Sequence, residues 1–401
     1  MRNSEQKEKD MEKKLNRPAD RVLNLPPYIF SEIDNKKNAL RAQGADLIDF
    51  GVGDPDMETP AAVVKELLEQ APKNENQKYP AYNGAAFFRE AAGDYMRRRF
   101  SVTLNPENQV TALLGTKEGL AHFSWAFLQP GDIALVPDPA FPVYANSARF
   151  AGAEVVRMPL LEENSFFPDV YSLPEEVVKK SKVIFLNYPN NPMGTVADRD
   201  RLSALIRWAL KNSISIVYDA AYAEIVYDPE DRFSILELEG ANDCAIEFHS
   251  FSKTFNMTGW RLGFACGNRD LVNGLVKLKT NIDSGVFDAI QYAGVKALEN
   301  AERLASDQVA FYRQRRDALL AVFQRAGIGY VLPRGAFYVM ARTPEGMNSM
   351  EFSAMLLEKA GIVTTPGAGF GEGANKFVRF ALTKPLGEIR KAASRLAALN
   401  L

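Results

Sequence analysis

The chain has 401 residues, 46% of them hydrophobic and 24% charged, with a net charge of −2. That length allows a large core and two domains, and the near-neutral balance gives no bulk attraction to nucleic acid or an anionic membrane. Two histidines and two cysteines leave no Cys/His cluster at metal spacing, and Cys244 and Cys266, both in apolar runs, read as buried free thiols of a reducing compartment.

In chain order, residues 1–17 are dense in both charges and contain no apolar core, so they are neither a signal peptide nor a spanning helix and read as a disordered tail. No stretch approaches the length of apolar sequence that crosses a bilayer, which predicts a soluble, cytoplasmic protein. Residues 47–50 are strand-like. Residues 87–100 are helix-like, and the triplet Arg97, Arg98, Arg99 within them reads as a solvated face. Short apolar runs follow at 110–114, 133–136, 154–158, 183–186, 214–218, 245–248 and 262–266, separated by helical patterns such as 118–127 and 199–211. Continuous short runs suit strands covered on both faces, so the pattern predicts an α/β layer with a mostly parallel sheet. Ligands of such sheets sit beyond the carboxyl ends of the strands. Gly115 and Thr116, the 187–194 segment, Asp219 and Ser250 all fall there. A long helical pattern over 286–326 then leads to strand-like 336–340 and 377–380, an α+β arrangement. The predicted organisation is a tail at 1–17, an N-terminal arm and part of a small domain at 18–60, a large domain at 61–295 and the rest of the small domain at 296–401.

Several elements carry chemistry. Asn190, Asn191, Pro192, Met193 and Gly194 make a turn if taken alone, since these residue types suit one for backbone reasons. Asp219 ends a strand, where an aspartate commonly caps the next helix, and Tyr222 lies three residues on. Ser250, Ser252 and Lys253 close the sixth run and Arg261 enters the seventh. A lysine attacks an aldehyde only as the free amine, and paired hydroxyls with an arginine are suited to hold a phosphate. Arg379 sits between Val378 and Phe380 in an apolar strand, where a guanidinium needs an anionic partner. Upstream, Tyr79, Gly84 and Arg89 recur at intervals of five.

In order and approximate spacing these residues resemble the pyridoxal-phosphate (PLP) dependent class I/II aminotransferases of fold type I. Stretches 25–37, 185–192, 246–261 and 280–294 are similar to the bacterial and archaeal LL-diaminopimelate aminotransferases, a likeness that spans about residues 18–395. The resemblance implies a large domain around a mostly parallel seven-stranded sheet plus a smaller α+β domain. It also implies pyridoxal 5′-phosphate as cofactor and a homodimer with shared active sites. The implied reaction is a ping-pong amino transfer between an amino acid and 2-oxoglutarate, with LL-diaminopimelate and tetrahydrodipicolinate of lysine biosynthesis as the leading couple.

Residue by residue, Lys253 resembles the lysine that carries the cofactor covalently and serves as general base and acid. Asp219 resembles the carboxylate that keeps the pyridine nitrogen protonated, and Tyr222 with Asn191 the pair that bonds the ring oxygen. Gly115, Thr116 and Lys117 at a helix N-terminus, Ser250, Ser252, Arg261, and Tyr79 of a second subunit match the phosphate contacts. Phe141 matches the ring stacked on the pyridine, and Arg379, with Asn191 and the backbone near Gly53, the clamp on the substrate α-carboxylate.

Three positions depart from the pattern. Met193 replaces a usual threonine, Phe141 stands where close relatives often carry tyrosine, and residues 271–300 contain no arginine. The last point argues against strong aspartate selectivity, unless Lys277 or Lys279 substitutes. Asp283 before Ser284 and Gly285 reads either as a cap or as a partner for a distal ammonium. Alanine, aromatic or broad-specificity transfer remain open within the same chemistry, as do a PLP-dependent lyase or oxidase. A non-enzymatic regulator built on the same domain is disfavoured, because the short charged tail has no room for a DNA-binding module.

Overall fold

The computed structural model describes residues 16–23, 25 and 30–399. The charged tail expected over 1–17 lies outside the described residues except for its last two, as does part of the 25–37 stretch. A short strand β1 (Ile48–Asp49) is followed by β2 (Val110–Leu113), β3 (Ile133–Asp138), β4 (Glu154–Pro159), β5 (Ser181–Asn187), β6 (Ser215–Asp219), β7 (Ala245–Ser250) and β8 (Gly263–Gly267). The last seven form one sheet in the order β2-β8-β7-β6-β5-β3-β4. β3 to β7 pair in parallel, and β8 alone runs antiparallel to both its neighbours.

Alternate residues of each strand leave opposite faces. Val183 and Phe185 join a cluster with Leu120, Phe123 and Leu275, whereas Ile184 and Leu186 join another with Leu202, Ile206 and Ala297. Helices Thr116–Phe127, Val143–Phe150 and Arg269–Lys279 cover the first face; Ala86–Phe100, Arg199–Lys211 and Asp288–Glu299 cover the second. Two buried faces account for runs that are apolar throughout rather than alternating. The chain winds outward from β3 to β4 and in the other direction from β5 to β7, so a crevice opens at the carboxyl ends between β3 and β5.

The C-terminal part adds β9 (Tyr330–Val331), β10 (Tyr338–Arg342), β11 (Ile362–Val363), β12 (Thr365–Pro366) and β13 (Phe377–Ala381). An antiparallel sheet in the order β12-β13-β10-β9 shares a core with helices Ala301–Arg325, Ser349–Ala360 and Leu386–Ala397, through Phe323, Phe337, Phe380, Ile389 and Leu396. β1 pairs in parallel with β11. Ala221, Tyr222 and Ile225, from the loop after β6, are buried in this same core and join the two sheets beside the crevice.

Two expectations need correction. The helical pattern over 286–326 is two helices, Asp288–Glu299 and Ala301–Arg325, broken at Asn300. The Asn300 amide side chain donates to Lys296 O and lets the chain turn, while buried Ala297 and Ala301 keep the apolar pattern continuous across the break. Arg99 is not on a solvated face: it forms a two-pronged bond to buried Glu224 at 2.9 and 2.7 Å, and Tyr95 donates to the same carboxylate. Among the described residues no helix is long and apolar enough to cross a membrane.

Candidate active site

A cavity of about 730 Å³ lies at the carboxyl ends of the large sheet, against the C-terminal part. Thr116, Lys117, Phe141, Asn191, Asp219, Tyr222, Ser250, Ser252, Lys253, Arg261, Gly53 and Arg379, each singled out from the sequence, line it together. Gly115 is not in the lining but packs against the Arg261 guanidinium that is, and Tyr79 is 89% exposed and does not line the cavity.

At one end is buried Asp219, delivered by β6. Its Oδ2 accepts from the Tyr144 hydroxyl at 2.6 Å and its Oδ1 from the Ala221 N–H at 3.1 Å. Burial pushes the carboxyl above the ordinary aspartate value, and Tyr144, the Ala221 N–H, His249 and Lys253 only partly offset it. Such a carboxylate gains by meeting a cationic N–H. Burial and the neighbouring Asp219 charge also hold the Tyr144 phenol well above its usual value, so it remains a donor. Its ring stacks on Phe185 at 5.3 Å. Tyr144 escaped the sequence reading, although it lies three residues beyond Phe141.

Asn187 ties the β5 and β6 ends together: Nδ2 donates to Asp219 O at 2.7 Å and Oδ1 accepts from the Asn191 N–H at 2.8 Å. Asn191 Oδ1 in turn accepts from Arg379 Nη1 at 2.9 Å, leaving its amide NH₂ as the donor for a ligand oxygen. Tyr222 Oη lies 3.0 Å from Tyr338 Oη. Burial and then Tyr338 raise the Tyr222 phenol well above its usual range, so it stays protonated at neutral pH.

Lys253 lies in the short Phe251–Thr254 helix after β7, and its Nζ donates to Gly53 O at 3.2 Å. Buried Gln308, also missed in the sequence, donates to the Lys253 and Thr254 carbonyls at 2.9 and 3.3 Å and anchors the turn. Gly53 has to be glycine, since a Cβ there would collide with the Tyr338 hydroxyl and ring.

The other end is a cradle. Gly115 has φ +83°, and a Cβ on it would run into the Arg261 guanidinium. The Thr116–Phe127 helix begins there with its free N–H groups, and the Ser250 and Ser252 hydroxyls complete the donors. Arg261 itself has φ 55°, a conformation that costs a non-glycine residue about 1 kcal/mol or more and is retained mainly at functional sites. Lys117 Nζ lies 5.9 Å from the centre of the Phe141 ring. A dianion at this cradle, an acceptor ring against Phe141 and a protonated ring nitrogen on Asp219 match the parts of PLP, with Lys253 as the amine. The residues fit that cofactor.

β13 carries Arg379. Val378 and Phe380 enter the core, so Arg379 leaves the opposite side of the pleat toward the cavity. Its Nη2 donates to Gly51 O at 3.2 Å, and the guanidinium lies 4.2 Å from the Tyr338 ring centre and 4.7 Å from that of Phe370.

The capping reading of Asp283 is corrected: the next helix begins at Asp288 with Phe287 at its N-cap and no side-chain cap bond, and Asp283 instead accepts from the Gly285 N–H at 2.9 Å within a turn and from Lys279 Nζ at 2.9 Å. Lys279 is fully buried and cannot stand in for a distal arginine in a neighbouring site.

Comparison with known proteins agrees with this geometry. The family model for aminotransferase class I and II matches residues 45–396. The LL-diaminopimelate aminotransferase of Syntrophobacter fumaroxidans is 46% identical over 382 residues, 95% of this chain and 98% of that protein. Its counterpart in Aquifex aeolicus is 47% identical, covering 96% of this chain and 99% of its own. Among solved structures, apo-BacF from Bacillus subtilis superposes with a TM-score of 0.93 at 35% identity, over 96% of this chain and 99% of that one.

Proposed function

The chain belongs to the class I and II aminotransferases, which use pyridoxal 5′-phosphate, and from that premise we propose that it moves the amino group of LL-diaminopimelate to 2-oxoglutarate. One observation carries the substrate: relatives of that activity match almost end to end at 46–47% identity. The absence of arginine from residues 271–300 is consistent with it, because no guanidinium from that segment is offered to a short distal carboxylate. The amino group leaves the α-carbon as the keto acid forms, and 2-oxoglutarate takes it up as glutamate. The keto product closes on its own distal amine, with loss of water, to tetrahydrodipicolinate.

When bound, the cofactor supplies an aldehyde for the amine and a ring that accepts electrons. The chain's residues do the rest. Lys253 would hold the aldehyde through its amine and, once free, would serve as the base and acid that carries the proton of the substrate α-carbon. Asp219, braced by Tyr144, holds a proton on the ring nitrogen. Tyr222 and the Asn191 amide hold the ring oxygen. Gly115, Thr116, Lys117, Ser250, Ser252 and Arg261 hold the phosphate, and Phe141 stacks on the ring. Arg379 clamps the α-carboxylate through its planar fork, with Asn191 and the Gly53 backbone beside it.

The active unit is a homodimer in which Tyr79 of one subunit reaches the phosphate of the other. Tyr79 and Tyr82 are exposed, and Gly285 lies so close to Ala81 O that a Cβ would clash. Ile282 and Phe287, on the same loop as Gly285, are also exposed, which makes one apolar patch suited to a second copy. Residues 61–295 form the large domain, and 18–60 with 296–401 the small one, a division supported by the β1–β11 pairing. Buried free Cys244 and Cys266 suit the cytoplasm. The test is kcat/KM with 2-oxoglutarate for LL-diaminopimelate, aspartate, alanine and phenylalanine. LL-diaminopimelate should lead by at least about tenfold, a 1.4 kcal/mol preference. A lead for alanine or phenylalanine would keep the chemistry and reject the substrate.

A further inference from the structure

Beside the phosphate cradle lies a group of ionised side chains that amino transfer does not use. Glu118 is the third residue of the helix whose N-terminus forms the cradle. Its Oε2 accepts from the Leu114 N–H at 2.9 Å, and its Oε1 accepts from Lys279 Nζ at 2.9 Å and also contacts His122 Nδ1. Lys279 is 0% exposed and donates to Asp283 Oδ2 as well, while Asp283 Oδ1 fixes the Gly285 N–H. Donor atoms of Glu118, His122 and Asp283 lie within 4.8 Å of one another, a spacing a metal ion would accept, but the lysine ammonium is already bonded to both carboxylates.

A carboxylate in the first turn of a helix normally favours that helix. Here the same N-terminus has to receive a phosphate dianion, and an uncompensated Glu118 would oppose it. Each 1.4 kcal/mol of repulsion from a like charge left beside the cradle lowers the phosphate binding constant about tenfold. The positive charge that removes this penalty is buried on another helix, and the same ammonium holds the 280–285 turn.

We propose that Lys279 is a positioning residue for the cofactor phosphate: its buried ammonium cancels the Glu118 charge beside the cradle and pins the 280–285 turn to it. This rests on reading Gly115–Lys117, Ser250, Ser252 and Arg261 as the phosphate site. The apo protein is titrated with PLP and with pyridoxal, which lacks the phosphate. In K279M the dissociation constant for PLP rises about tenfold or more, since a charge next to the phosphate is unmasked, while that for pyridoxal stays within about twofold. In E118Q/K279M, which removes the unmasked Glu118 charge and leaves only that of Asp283, most of the lost PLP affinity returns, and no recovery there overturns the inference. An unchanged PLP affinity in K279M, or equal weakening of PLP and pyridoxal, overturns the inference. E118Q alone covers a K279M protein that does not fold: it keeps an acceptor for Leu114 and binds PLP at least as tightly as the unaltered chain, and a tenfold loss there overturns the inference too. If the unaltered protein bound PLP no tighter than pyridoxal, the phosphate site itself would fall.

Discussion

Tyr144→Phe isolates one hydrogen bond behind the cofactor. The substitution removes only the hydroxyl that donates to Asp219 Oδ2 at 2.6 Å, and the ring keeps its stack on Phe185. A hydrogen bond to a charged group contributes about 1.5–3 kcal/mol, which corresponds to about 10- to 150-fold in rate. Asp219 retains the Ala221 N–H and the nearby His249 and Lys253, so the lower end, about tenfold in kcat/KM, is expected. The pH dependence carries more information. The Tyr144 bond lowers the Asp219 pKa against the larger upward push of burial, so its loss raises that pKa further. With the ionised carboxylate in the proposed role of holding the ring nitrogen proton, the acid limb of the kcat/KM profile should move to higher pH in Y144F. Steady-state rates across the acid range measure both effects. A rate within twofold of the unaltered protein together with an unmoved acid limb would refute the role given to Tyr144.

The other predictions use the same assays. Arg379→Ala should lower kcat/KM by about 30- to 5,000-fold, the 2–5 kcal/mol of leaving a buried carboxylate without its charged partner, and an unchanged value would remove Arg379 from the site. Asp219→Asn should weaken PLP binding yet raise the melting temperature of the apo protein at neutral pH. Burial lifts the folded pKa of Asp219 above the unfolded one, so its contribution is fully present below the unfolded pKa and lost as pH rises through the folded value. The advantage of the asparagine variant should therefore shrink as the apo protein is acidified. Met193→Thr should cost about 1–3 kcal/mol of stability with kcat/KM unchanged, because a hydroxyl and a void replace an apolar side chain. Met193 is fully buried with Leu160, Phe166, Met340 and Phe377, which explains why the usual threonine is absent; a loss of activity without loss of stability would contradict that.

What could be read from the sequence was what is encoded locally. Strands buried on both faces announce themselves as short apolar runs, and chemistry-bearing residues at their ends fall at the crevice; Asp219 and Ser250 are such cases. The antiparallel sense of β8 could not be read, since an apolar run carries no direction. Contacts distant in sequence were also invisible. Arg99 sits in a charged triplet that resembles a solvated face, and its partner Glu224 is 125 residues away. Tyr144 lies near Phe141 but takes its role from an aspartate 75 residues on. Lys279 ends an otherwise ordinary amphipathic helix, and only the packing of that helix beside Glu118 makes it a buried ammonium.

The central claim is that Lys253 is the amine that holds the cofactor and moves the proton. Borohydride reduction of the PLP-loaded protein, followed by peptide mass analysis, tests it directly, with Lys253→Ala treated in parallel. The account predicts cofactor mass on the peptide containing Lys253, none in the variant, and PLP bound there without covalent attachment or significant turnover. Label on another lysine, or near-normal turnover by the variant, would contradict it.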